Sequence, residues 1–256
     1  MSHAAFLKTL AAHAASETLP RFRAPHTITD KGGGRFDPVT EADREAERVI
    51  RAAIKARHPG HGIIGEEFGA ESDDAEHVWV IDPVDGTRAF ISGIPLWGTL
   101  IGLMHRGRAV EGIMAQPFTG ELYYTDGARA VYEGPGGTRT LATRDTARLA
   151  DAVLFTTTPA LFTATNRQRY NRLERAVRLA RYGTDCYGYM MVASGQADLV
   201  CEIGLQSYDV VALIPIIEKA GGVMTDWKGD RAEQGGRVLA SANARLHDEA
   251  LAVLNA

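Results

Sequence analysis

Apolar residues recur along this chain with two different periods, and the change between them organises it. Near the N-terminus Phe6, Leu7 and Leu10 are interspersed with Lys8, His13 and Glu17, the pattern of an amphipathic helix rather than of an unbroken secretory core. A glycine-rich loop at 31–35 precedes a second helical stretch at 40–57, with Thr40 placed to cap its first turn. Short apolar runs at 78–81, 98–104, 109–115, 121–125 and 128–132, separated by glycine-containing turns, predict a mostly antiparallel sheet. Gly134-Pro135-Gly136-Gly137 suits neither helix nor strand and is the expected boundary between an N-terminal lobe, 1–137, and a C-terminal lobe, 138–256. Beyond it, segments at 152–156, 172–179, 185–193, 198–200, 210–220 and 223–226 read as the strands and helices of an α/β lobe. Pro215 falls within 210–220 and is expected to break the helical ladder there, at an intrinsic cost of about 3 kcal/mol. No internal repeat is visible.

Composition narrows the class. A chain of 256 residues with 45% hydrophobic content can bury a sizeable core as one large domain or two lobes. The net charge of −4, with no Lys/Arg run interleaved with aromatics, argues against nucleic acid as the main partner, and no stretch reads as a membrane span. Cys186 and Cys201 lack metal-ligand spacing and are expected to pack as small apolar groups in a reducing compartment, which points to the cytoplasm. No Gly-x-Ser-x-Gly or Cys/His pair marks a covalent nucleophile. His58 and His61 flank Pro59-Gly60, where an ordinary loop competes with a zinc site that has no further ligand cluster.

The chemistry concentrates in acids. Trp79-Val80-Ile81-Asp82-Pro83-Val84-Asp85-Gly86-Thr87-Arg88-Ala89-Phe90 delivers two carboxylates at the end of an apolar strand. Pro83 holds Asp82 extended, and the i, i+3 offset across a turn lets both acids converge on a cation. Gly86 permits close backbone approach, and Thr87 is placed to cap a short helix at 88–92 whose free N–H groups would hold a phosphate oxygen. The alternative is a hairpin, because Asp-Gly between apolar runs is a two-residue turn signal. Ile63-Ile64-Gly65-Glu66-Glu67 and Tyr208-Asp209 supply further acids, although a Glu pair is also an ordinary solvated face.

Together Asp37-Pro38-Val39-Thr40-Glu41-Ala42-Asp43, Gly65-Glu66-Glu67, Asp82-Pro83-Val84-Asp85-Gly86-Thr87 and Tyr208-Asp209 through Gly221-Gly222 resemble the inositol monophosphatase-like family of metal-dependent phosphomonoesterases, over nearly the whole chain. The blocks 93–103 and 182–189 resemble its histidinol-phosphatase branch. The resemblance implies an α/β protein, an α+β lobe followed by an α/β lobe, layered as an α/β/α/β/α sandwich with the site between lobes. It implies metal contacts from Glu66, Asp82, Asp85, Asp209 and the Pro83 carbonyl, and a homodimer. Oxygen ligands without His or Cys suit Mg²⁺, with Mn²⁺ able to substitute. Two or three ions would offset the charge of Glu66, Asp82, Asp85, Asp209 and Asp43 beside an anionic phosphomonoester. The implied reaction is in-line attack of a metal-bound water, oriented by Thr87 and Asp43, with the Gly86 and Thr87 amides on the phosphoryl oxygens. Asp43 also reads simply as a first-turn acid favoured by the helix dipole. Lys31 resembles the family's basic residue near a mobile metal, but three glycines alter its spacing.

Substrate choice falls to Asp185 and Glu202. The inositol-processing branch typically has a small uncharged residue at the Asp185 position, so an acid there is expected to pair with a substrate ammonium, as in L-histidinol phosphate. A helix N-cap is the other reading of Asp185, and Glu202 also suits polyol hydroxyls. Tyr208 and Val211 depart from residues common in relatives and would reshape a pocket wall. Inositol 1-phosphate is the alternative substrate. A bisphosphate would want more cations than Arg88 and Arg181, and a catalytically silent binding protein would have lost a ligand.

Overall fold

Alternate residues of one strand bury themselves on opposite sides of a sheet, and this arrangement generates the layers. In the computed structural model, which describes residues 3–25, 29–30 and 38–256, the chain runs through α1 (His3–Thr18), β1 (Thr29–Asp30), β2 (Pro38–Val39) and α2 (Glu41–Arg57). It continues through β3 (Gly62–Gly65), β4 (Gly69–Glu71), β5 (His77–Asp85), α3 (Thr87–Ile91), β6 (Gly98–His105), β7 (Arg108–Gln116), β8 (Glu121–Asp126), β9 (Arg129–Gly134) and β10 (Gly137–Thr140). The remaining elements are β11 (Val153–Thr156), α4 (Ala164–Ala176), β12 (Leu179–Tyr182), α5 (Asp185–Ala193), β13 (Leu199–Leu205), α6 (Ser207–Val210), α7 (Leu213–Lys219), β14 (Val223–Asp226), β15 (Gly236–Ser241) and α8 (Ala244–Asn255). Lys31, the loop at 31–36 and Asp37 lie outside the described residues.

An eight-stranded sheet has the order β10-β9-β8-β7-β6-β5-β3-β4, antiparallel except for β3 beside β5. Trp79 and Ile81 of β5 face Phe6, Leu7, Leu10, Ile50 and Ile54 of α1 and α2. Val78 and Val80 face the other way, onto Met190, Val211, Leu213 and Ile217 of the segment from α5 to α7. A five-stranded sheet, β12-β11-β13-β15-β14, covers the far side of those helices, and its outer face carries α4 and α8 through Leu154, Leu239, Leu173 and Leu246. The result is the α/β/α/β/α stack. Among the described residues no helix is long and apolar enough to cross a membrane.

Several boundaries differ from expectation. Residues 134–137 form the turn of the β9–β10 hairpin inside the large sheet, so the passage to the second sheet comes between Thr140 and Val153. The stretch 172–179 straddles the end of α4 and the start of β12, while β15 and α8 have no counterpart in the expected elements. Pro215 does interrupt its helix: α6 and α7 are separate although Val211 and Ala212 keep helical dihedrals. With no N–H of its own, Pro215 sits in the first turn of α7, where none is needed.

The α6–α7 junction presses backbone directly onto the sheet. Gly102 and Gly112 are paired across β6 and β7, and a Cβ at Gly112 would stand 2.0 Å from the Ala212 carbonyl oxygen. This glycine pair lets α6, and Asp209 with it, approach the end of β5.

Candidate active site

A strand's side chains alternate, so Asp82 and Asp85 would point to opposite faces of a regular β5. The ladder prevents that: Asp82 pairs with Leu100 and Asp85 with Gly98, three steps against two, and the β-bulge carries both acids to the same side. No two-residue hairpin forms at Asp85-Gly86; β5 returns to β6 through α3. Gly86 begins that helix in the left-handed region, φ 82°, with no side-chain cap. Thr87 is therefore its first helical residue rather than its cap, and its hydroxyl turns back to donate to the Val84 carbonyl at 3.1 Å and toward Asp43 Oδ1 at 3.5 Å.

Ligand atoms of Asp82, Asp85 and Asp209 all lie within 4.8 Å of one another, the one such group among the described residues. Each carboxylate is anchored by a backbone N–H: Asp82 Oδ1 accepts from Val84 at 3.0 Å, Asp85 Oδ2 from Cys186 at 2.7 Å, and Asp209 Oδ2 from Gln206 at 2.6 Å. Asp43 follows the same rule, accepting from Thr40 N–H at 2.8 Å as the third residue of α2 and half of a capping box. Glu66 stands in the same cavity beside Asp82 but outside the triad. The Pro83 carbonyl already accepts from the Thr99 hydroxyl at 2.8 Å.

Burial and mutual repulsion raise Asp82, Asp85 and Asp209 together. Burial pushes Asp82 far above the usual carboxylate range, with Glu66, Asp85 and Asp209 adding to it. Burial, then Asp185, moves Asp85 up to about 7. Asp209 is driven up by burial and Asp85, and Asp43 by burial against its Thr40 hydrogen bonds. Hard oxygen donors crowded together in this way fit a divalent cation.

A cavity of about 730 Å³ extends from the acids across α3 to the second sheet. Glu66, Asp82, Asp85, Asp209, Asp185 and Glu202 line it, and Arg88 is the cation among its described lining residues; Arg181 lies outside on exposed β12. Asp185 is not the helix cap. It follows the cap residue Thr184 with φ 43°, a left-handed backbone uncommon for a side-chain-bearing residue, while Asp85 caps α5 from the other sheet. Burial raises the Asp185 carboxyl, and Thr157 and Arg88 partly offset it. Glu202 is 2% exposed, accepts from the Thr157 N–H and from the Thr156 hydroxyl, and is pushed by burial up to about 8.

The remaining candidates separate from this site. Cys186 and Cys201 are free and buried, their thiols raised by burial. Among the described residues His58 and His61 belong to no metal-ligand group; their rings stack at 4.5 Å, and the stack continues through His77 and His105 at 4.8 and 4.6 Å. Two supporting residues escape sequence reasoning. Glu47 accepts from the Glu67 N–H at 2.7 Å and braces the turn that presents Glu66; its place on the buried stripe of α2, four residues after Asp43, was the available signal. Thr99, which holds the Pro83 carbonyl, carries no such signal.

Comparison with known proteins shows the family and the fold. Residues 2–256 match the profile of the inositol monophosphatase family. The chain is 39% identical over 242 residues to the bifunctional phosphatase IMPL2, chloroplastic, of Arabidopsis thaliana, covering 90% of this chain and 68% of the relative. It is 36% identical to a histidinol-phosphatase of Chlorobaculum parvum, over 85% of this chain and 83% of that one. The solved structure of an inositol monophosphatase from Zymomonas mobilis superposes with a TM-score of 0.87 at 38% identity, covering 98% of this chain and 96% of that chain.

Proposed function

This chain belongs to the inositol monophosphatase family, and we propose that it is a Mg²⁺-dependent phosphomonoesterase that hydrolyses L-histidinol phosphate to L-histidinol and phosphate, a step of histidine biosynthesis. The observation that carries the substrate is the pair Asp185 and Glu202: a half-buried and a buried acid in the same cavity as the triad, both raised by desolvation, and only Asp185 faced by Arg88. A substrate ammonium between them would offset the cost of ionising these desolvated acids, which Arg88 reduces only at Asp185. A polyol offers hydroxyls alone.

Asp82, Asp85, Asp209 and Glu66, with the Pro83 carbonyl, would hold the cation, two or three ions in all, with Mn²⁺ as a substitute. When bound, Mg²⁺ neutralises phosphate charge and makes water a stronger nucleophile near neutral pH. The chain's own groups then direct the proton: the Thr87 hydroxyl turns its hydrogen from the Val84 carbonyl to Asp43 Oδ1, Thr87 Oγ1 accepts a proton from the attacking water, and Asp43 Oδ1 takes the one that Thr87 gives up. Burial of Asp43 raises its affinity for that proton. The N–H groups of Gly86 and Thr87 border the place of the phosphoryl oxygens. A homodimer and a cytoplasmic location complete this reading.

Inositol 1-phosphate is the second reading, favoured by the Zymomonas mobilis likeness and by Glu202, which also suits hydroxyls. The test compares L-histidinol phosphate with its analogue lacking the amino group, in the wild type and in Asp185→Asn. A preference for the amine of about 10²-fold in kcat/KM that collapses in the variant supports the ammonium site. Equal use of both substrates by the wild type refutes it.

A further inference from the structure

Helix α5 starts at the floor of the cavity, with Asp185 as its first residue and Tyr189 one turn later. The i, i+4 spacing places both on one helix face, and helical side chains lean toward the N-terminus. The Tyr189 phenol therefore reaches back to the end of α5 that Asp85 caps through the Cys186 N–H at 2.7 Å. Tyr189 is 3% exposed, and its hydroxyl has no hydrogen-bond partner. Burial, then the charges of Glu202, Asp85 and Asp209, disfavours ionisation of the phenol, so it stays a donor. Packing gives no reason for an oxygen here, since Tyr189 lies in a cluster of apolar side chains that a phenyl ring would fill equally well. A desolvated donor with no acceptor is a cost, and such groups call for an explanation in what the site binds.

The acids near it already take part in hydrogen bonds that fix their orientation: Asp85 with Cys186, Asp209 with Gln206 and Asp82, Glu202 with Thr156 and Thr157. A carboxylate that ligates a cation is oriented by the hydrogen bonds behind it, and losing such a bond weakens metal affinity by roughly 10–100-fold. We propose that Tyr189 is a positioning residue for the metal-binding acids, its hydroxyl donating to the Asp85–Asp209 pair when a cation draws those carboxylates together. The proposal rests on the metal-dependent reading of the site.

The test is Tyr189→Phe in the full chain, with Mg²⁺ titrated by calorimetry into metal-free protein and unfolding followed with and without Mg²⁺. The metal-free variant should unfold at the wild-type temperature or above it, because an unpartnered hydroxyl has been removed. Its Mg²⁺ Kd should rise about tenfold or more, and its Mg²⁺-induced gain in Tm should shrink. Equal Mg²⁺ affinity in the two proteins overturns the proposal, as does a fall in metal-free Tm with affinity unchanged, the mark of a packing role. A wild type that binds no Mg²⁺ overturns the metal reading itself, and this inference with it.

Discussion

Oδ2 of Asp85 accepts a hydrogen bond from the Cys186 backbone N–H at 2.7 Å, so the last residue of β5 caps the helix that presents Asp185. One carboxylate thereby joins the acidic triad to the end of the cavity lined by Asp185 and Glu202. The link explains why Asp185 need not act as a cap and is left to face the cavity.

Asp85→Asn separates these two duties. The amide oxygen can still accept from Cys186, so the fold and Tm should be retained, while loss of the charge should lower Mg²⁺-dependent turnover by roughly two orders of magnitude or more. Phosphate release and circular dichroism on one preparation check both. Unchanged turnover removes Asp85 from the metal site.

Gly112→Ala places a Cβ 2.0 Å from the Ala212 carbonyl oxygen, backbone that cannot step aside. Overpacking of this kind costs roughly 1–3 kcal/mol, so Tm should fall, and turnover with it as α6 carries Asp209 away from Asp82 and Asp85. Thermal melts and kcat measure the two effects.

Glu202 should make the metal-free protein sensitive to alkali. Its folded pKa is raised to about 8 from an ordinary 4.5, so the folded state holds a proton that the unfolded chain releases. The stability this contributes is complete below 4.5 and lost as pH rises through about 8. Glu202→Gln, neutral throughout, should flatten the fall in Tm across that interval in metal-free buffer. An identical pH profile would contradict it.

His61 has the opposite sign. Its Nδ1 accepts from the Trp79 indole N–H at 3.1 Å, and its ring lies between those of His58 and His77, at 4.5 and 4.8 Å. Trp79 can only donate, so protonating His61 there sets donor against donor, and burial, then His58 and His77, holds the imidazole below its ordinary 6.5. Stability present above 6.5 is therefore lost as pH falls through the lower folded value. His61→Gln keeps an acceptor for Trp79 and should soften the acid limb of a Tm profile.

The acids that converge are easier to read from the sequence than the way they meet. Asp82, Asp85 and Asp209 are legible as carboxylates beside turn residues, and Thr40 and Asp43 as a helix start. Their convergence depends on a bulge between Asp82 and Asp85, a register event set by β6 and invisible within β5. Thr87 and Asp185 both read as caps from their neighbours, yet Gly86 takes the first position in a left-handed conformation and Asp85 supplies the second from across the molecule. The hairpin at 134–137 mimics a lobe boundary because glycine and proline mark a tight turn as readily as a linker.

The most direct measurement is phosphate release from L-histidinol phosphate and myo-inositol 1-phosphate in parallel, with Mg²⁺ and after its removal by chelator. Mg²⁺-dependent hydrolysis is expected, with kcat/KM for histidinol phosphate higher by about 10²-fold. Hydrolysis that survives chelation, or preference for inositol 1-phosphate, would contradict it.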